Sequence, residues 1–316
     1  MSYAQYGLIE ATDFNTLVGG NPTTTSNTLN AVWATGGTTA GYGQTAVANV
    51  STGATVSASN WASLVNSTSN AATHQGSTIT SVTAPASGGT ITYLSAIPTN
   101  LTTIYTNRLN AATQGSTTSN TATYASTWSS ALTFTHTATW ANGDAARYFF
   151  NSGGQLAITC SHPSGTGINL LLNNLASNIG TVVLSAPSSG TVSIAGTTYN
   201  GITKVGGGGN APTTSPNTGY FALTTANVTA FTQTASTGPA GYLSTFIRVI
   251  VKSNGTQGSN GDAGSVITIY TVWDEVPDGL TAAANSATTL TVRPPETTNL
   301  ANSWGTITLT GTVTGS

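Results

Sequence analysis

The chain has 316 residues, of which only six are Lys or Arg and eight Asp or Glu, with a formal net charge of −2. Charged residues make up 4% of it, against about 25% in an ordinary soluble domain; Thr, Ser, Asn, Gly and Ala fill the gap, and mean hydropathy is +0.04. Six scattered cations exclude strong nucleic-acid binding and electrostatic attachment to a membrane; no run of about 18 apolar residues could span one; and a lone Cys160 excludes an intrachain disulfide or a Cys-based zinc site.

The opening MSYAQYGLIEATDF has no basic stretch followed by an apolar one, so a secretory leader is not expected. Thr12 is the expected cap of a short helix through Asp13, Phe14, Leu17 and Val18, ended by Gly19-Gly20. Asn27 is the expected cap of a second, with Leu29, Val32 and Trp33. Trp61, Leu64, Val65, Thr68 and Ala72 repeat at helical spacing, which predicts a longer helix from about Ser59 to His74-Gln75-Gly76. Another follows Pro98, capped by Thr99, with Leu101, Ile104, Tyr105, Arg108, Leu109 and Ala112 at helical spacing and Gly115 as its stop. Stretches 45–57 and 77–83 read as strands. Residues 1–115 therefore form a small N-terminal α+β region. Its helices have narrow apolar faces, so it is expected to attach to, or oligomerise with, a neighbour. The polar run 116–123 has no periodicity and reads as a linker.

Beyond it the period changes to two. Leu132, Phe134, His136, Ala138 and Trp140 alternate with threonines, the signature of a half-buried strand. Asn142-Gly143-Asp144 reads as a turn, and strands at Ala146–Asn151 and Gln155–Cys160 would complete a three-stranded meander. Ile168, Leu171, Leu172, Leu175 and Ile179 predict one inserted helix stopped by Gly180. Strands are expected at 181–186, 191–195 and 198–205, then a long loop. Leu243–Lys252 and Ser265–Asp274 flank a Gly/Asn-rich connector and read as an antiparallel hairpin. Further strands are expected near 288–293 and 305–313. The fold class that follows is mainly β, with residues 124–316 an antiparallel β-sandwich.

Candidate chemistry is sparse. Asp274, Glu275 and Asp278 could form a calcium loop or an acid pair, but Asp274 and Glu275 are adjacent on a strand and point to opposite faces; the polar end of a strand is the simpler reading. His74, His136 and His162 fit no zinc spacing, and His136 lies on the apolar face of its strand. Cys160 and His162 are two apart and could make a dyad, although Cys160 sits in an apolar run and reads as a small hydrophobe. Gly206–Gly209 lacks a phosphate-loop ending and reads as a flexible connector. Of the tryptophans, Trp128 and Trp304 are the least constrained by pattern. No catalytic residue, cofactor or metal is expected, and the chain is not read as an enzyme.

One segment carries a resemblance. Arg147-Tyr148-Phe149-Phe150-Asn151-Ser152-Gly153-Gly154-Gln155-Leu156 resembles an R-x-F-F-N-x-G-G-x-[IL] stretch in virion structural proteins of tailed bacteriophages, notably large phages of cyanobacteria. The opening up to Leu17, Tyr42-Gly43-Gln44, and Trp61 to Gly76 are similar to the same proteins. The resemblance covers about half the chain and implies a virion subunit of the neck, collar, tail, baseplate or fibre, without catalytic residues, whose partners are copies of itself and other virion proteins. The alternative is a receptor- or carbohydrate-binding fibre tip, with a host surface glycan as ligand. Within the motif, Arg147, Phe149, Phe150, Asn151, Gly153, Gly154 and Gln155 read as a rigid β-hairpin. Phe149 and Phe150 would anchor opposite faces, and Arg147 would have a specific partner, either a carboxylate or backbone carbonyls.

Overall fold

The computed structural model describes residues 10–87, 95–215, 218–238, 242–274 and 279–315. Four helices come first: α1 Ala11–Val18, α2 Leu29–Val32, α3 Ala58–Gln75 and α4 Ala96–Thr106. Each starts one to four residues earlier or later than its sequence signals, with Glu10, Thr28, Ser57 and Ser95 at the N-caps. α3 ends as its sequence requires, on Gly76 in the left-handed conformation. α4 stops earlier than Gly115, at Asn107. The apolar faces of the four helices meet around Phe14, Leu29, Trp61, Leu64, Leu101 and Ile104, all at most 2% exposed.

The stretches 45–57 and 77–83 are not strands. Their backbones are served by side-chain amides instead. Asn30 donates to the carbonyl of Val47 (2.9 Å) and accepts from its N–H (3.1 Å). Asn15 does the same for Val50, with both bonds 2.8 Å, and Asn100 for Thr80, at 2.8 and 3.0 Å. A carboxamide carries the donor and acceptor of a peptide group on one planar unit. One Asn therefore replaces one residue of a neighbouring strand, and the segment is secured with no sheet formed.

The predicted linker is also a strand. β1 (Thr118–Tyr124) pairs antiparallel with β12 (Ser286–Arg293). Only Ala122 of β1 is buried, which is why no apolar period marks it.

The remaining chain is an antiparallel β-sandwich. One sheet has the order β1-β12-β3-β4-β7, with β3 Gln155–Ser161, β4 Thr181–Leu184 and β7 Ile202–Val205. The other has the order β13-β2-β11-β10-β9-β8, with β2 Leu132–Thr139, β8 Thr213–Thr214, β9 Val228–Thr234, β10 Phe246–Ser253, β11 Val266–Asp274 and β13 Thr308–Gly315. β2 alternates buried and half-buried residues along its whole length, as its period-two pattern requires, and β10 and β11 form the expected hairpin. β9 carries no signal that the sequence reading used. A short hairpin, β5 Val192–Ile194 with β6 Thr197–Tyr199, packs with Ala111, Ala157 and Val183 as a third, small core.

Two helices complete the sandwich. α6 (Ile168–Ile179) is the inserted helix, ending at Gly180 as expected, with Leu171, Leu172 and Leu175 in the main core. The other, α5 (Gly143–Asn151), lies where a strand was expected. It carries the chain from β2 in one sheet to β3 in the other.

Candidate functional site

The motif Arg147–Gln155 is therefore a helix, a reversal and the start of a strand, not a hairpin. The local reasons are legible in retrospect. The Asn142 side chain caps the helix by accepting from Ala145 N–H (2.8 Å). Asp144 sits in the first turn, where the helix dipole favours an anion. Ala145/Phe149 and Ala146/Phe150 are i,i+4 pairs, all buried. Phe149 and Phe150 consequently do not anchor opposite faces. Both enter the main core, with ring centroids 5.0 Å apart at 90°; Trp140 packs against both, and Phe150 stacks on Tyr220 at 4.1 Å. The helix ends at Ser152, and Gly153 follows at φ 83° with the Ala111 methyl only 2.6 Å from where its own Cβ would lie. A side chain there would clash as well as strain the backbone.

The polar side of α5 holds a strap formed by residues 38–44. Arg147 is fully buried. Its Nε and Nη2 donate to Asp144 Oδ1 (3.1 and 2.9 Å) and its Nη1 to the Ala40 carbonyl (2.7 Å). Both expected kinds of partner, a carboxylate and a backbone carbonyl, are thus present. Asn151 donates to the Gly41 carbonyl (3.0 Å), and Arg108, just past α4, donates to that of Thr39 (2.8 Å). Gly43 has φ 68°, and a Cβ on it would fall 2.3 Å from the Tyr148 ring; the absent side chain makes room for Tyr148 against the strap.

The strap's other end reaches α3 and the chain beyond β12. Buried Tyr42 donates from its hydroxyl to the Arg108 carbonyl (2.9 Å) and accepts from Gln75 (2.7 Å); burial pushes this phenol well above its ordinary value. Its ring meets His74 edge-on at 5.3 Å. His74 bridges Glu296 through Nδ1 (3.1 Å) and the Ser152 carbonyl through Nε2 (3.1 Å). Glu296 also accepts from the Asn299 side chain (3.0 Å) and from the backbone N–H groups of Thr298 and Asn299. The His74 bond, then these three, hold its carboxyl at about 2 against the opposing effect of burial. Gln44 repeats the amide clamp on Ala301, at 2.8 and 2.9 Å. Gln155 closes the reversal by accepting from Gln114 (3.0 Å).

The resemblance segments at 42–44, 61–76 and 147–156 thus meet in one buried polar joint; the described part of the opening segment, 10–17, lies in the helical core instead. The joint links the helical core to the sandwich, and Leu300 seals it by packing into the helical core. The joint is closed and offers no accessible nucleophile beside a base. Sequence reasoning gave no site role to Glu296, Asn299 and Arg108: Glu296 and Arg108 join residues far away in sequence, His74 and Thr39, and Asn299 enters only through Glu296.

The other candidates are dispersed. His162 is held by Ser286 (2.8 Å) and Asn169 (3.1 Å), so neither ring nitrogen serves Cys160. Cys160 is half-buried against the main core, and apolar surroundings push its thiol up to about 12. His136 is a core residue bound to Thr288 (2.8 Å). Burial lowers the pKa of His136 and of His162. Asp274 ends β11; Glu275 and Asp278 lie outside the described residues. Gly206–Gly209 is not a free connector: Gly208 N–H donates to the Asn178 carbonyl (2.9 Å), and its own carbonyl accepts from Lys204 and Gln233 (2.8 Å each). Trp128 and Trp304 are buried, as are three of the other four tryptophans. Trp33 is half-buried beside a shallow cleft of about 510 Å³ shared with Gln44, Asn60, Ser63 and Asn66. Among the described residues no cluster of His, Cys, Asp and Glu could hold a metal, and no helix is long and apolar enough to cross a membrane. No family model matches the chain, and no curated protein or solved structure matches it significantly.

Proposed function

We propose that this chain is a structural subunit of a tailed-bacteriophage virion, in the neck, collar or tail, acting through protein–protein packing rather than catalysis. The observation that supports this reading is the joint. Segments that resemble phage virion proteins, far apart in sequence, contribute the strap, the His74 bridge and the Arg147 helix to a single buried network. Their shared purpose is to fix two cores relative to each other, which is what a load-transmitting subunit needs. Scarce charge supports the same reading, because a surface of hydroxyls and amides can be covered by neighbours without desolvating ions. Gold-labelled antibody against the purified chain, applied to tailed particles whose genome encodes it, tests the proposal. Regular labelling at one position of the particle is expected; its absence from purified particles contradicts it.

The Trp33 cleft favours a second reading, a glycan-binding fibre tip. An aromatic face beside amides and hydroxyls suits sugar recognition. On that reading a glycan array gives specific binding that Trp33→Ala abolishes, and the chain is found only at fibre ends.

A further inference from the structure

The two outer sheet faces differ. That of the five-stranded sheet is partly covered: Ala157 and Val183 are buried there under the β5–β6 hairpin and Ala111. On the six-stranded sheet, Ile250, Val266, Tyr270 and Val272 point outward in register across β10 and β11. All four are half-buried, and none belongs to any of the three cores or packs against one. Beside them on β10 lie Arg248, whose Cζ is 4.6 Å from the centre of the Phe246 ring, and Lys252, whose Nζ is 5.5 Å from that of Tyr270; Asp274 stands at the margin.

Toward β13 the same face becomes a grid of threonines. Thr133, Thr135, Thr137 and Thr139 of β2 stand directly opposite Thr314, Thr312, Thr310 and Thr308. Thr137 and Thr310 share a hydroxyl–hydroxyl bond of 2.7 Å. A hydroxyl satisfied within the sheet can lose its water at little cost, which leaves methyl groups to make the contact.

We infer that this face is a self-association surface, and that its occupant is the same face of a second copy related by a twofold axis along β11. Area supports a second copy. Five strands at about 4.8 Å spacing and eight residues at about 3.4 Å rise give about 650 Å² per copy. The pair then covers about 1,300 Å², within the range of about 1,200–2,000 Å² for stable interfaces. Charge supports the axis. A twofold along β11 lays β10 of one copy over β2 of the other, so Arg248 and Lys252 face the uncharged threonine grid and not each other. Tyr270 then lies against its own symmetry mate, in the aligned packing that twisted sheets adopt. The inference shares with the proposed function only the premise that the chain works by packing. A dimer in solution stands or falls independently of whether the chain occupies a virion.

The test is sedimentation equilibrium on the full chain, with circular dichroism as the control for folding. The wild type is expected to dimerise, and Val272→Lys to weaken association roughly 100-fold with an unchanged spectrum. Under oxidation Tyr270→Cys is expected to form a covalent dimer, while Thr121→Cys, on the other sheet, stays monomeric on a denaturing gel. If Val272→Lys fails to fold, the Tyr270→Cys cross-link decides. A wild type that stays monomeric overturns the inference, as does a dimer or trimer that resists Val272→Lys, or a Tyr270→Cys protein that does not cross-link.

Discussion

The helical region and the sandwich solve the same problem by different means. In the sandwich, backbone groups are paired by ladders, and side chains are left to pack. In the helical region, extended segments have no ladder, and single Asn side chains supply both of the missing bonds. A ladder distributes its bonds over many residues, so the loss of one side chain leaves the backbone paired. A clamp concentrates two bonds on one amide, and its loss strands a donor and an acceptor together, both of them buried in the Asn30–Val47 clamp. The helical region is therefore the more brittle half, and the joint at Arg147 and His74 couples it to the more robust one.

The largest effect should come from breaking the coupling. Arg147→Ala leaves the Ala40 carbonyl unpaired and Asp144 without its cation, and should cost about 3–5 kcal/mol, read by urea denaturation. Removing a clamp should rank next. Asn30→Ala, which strands both polar groups of Val47, should cost about 2–4 kcal/mol, with the loss of helical signal preceding that of the sheets. Gly43→Ala must displace the Tyr148 ring and hold a non-glycine residue at positive φ, which should cost about 2 kcal/mol. In the sandwich, removing the exposed Thr289 hydroxyl, bonded to Thr121 at 2.8 Å, should change stability by no more than about 0.5 kcal/mol in Thr289→Val. An equal cost for Asn30→Ala and Thr289→Val would remove the distinction between the two regions.

Acid sharpens the same comparison. The folded-state pKa of Glu296 lies below its unfolded value, so its contribution is complete above about 4.5 and is lost as pH falls toward about 2. Stability of the wild type should decline across that window. Glu296→Gln should flatten the decline, because the variant has no carboxylate to protonate. A titration of stability from pH 5 to pH 2 by urea denaturation checks both.

What the sequence revealed follows from how local each signal was. β2, the β10–β11 hairpin, α3 and α6 each carry an unbroken period, and burial follows it. The strands expected at 45–57 and 77–83 are absent, since a clamp such as that between Asn100 and Thr80 secures the chain without a ladder. β1 was mistaken for a linker because a hydroxyl-rich edge strand has almost no apolar face. α5 was mistaken for a strand because Tyr148, Phe149 and Phe150 favour strands intrinsically; the Asn142 cap and the i,i+4 pairs outweigh that preference. The joint itself was invisible as geometry, since His74 and Glu296 are far apart in the chain.

The claim that the joint couples the two cores is tested most directly by hydrogen exchange with mass spectrometry on the wild type and on Arg147→Ala. In the wild type, α3 and α4 should share the slow exchange of β10 and β11. In the variant, α3 and α4 should lose protection while β10 and β11 keep theirs. Unchanged protection of α3 and α4 in Arg147→Ala, or equal loss in every element, would contradict the account.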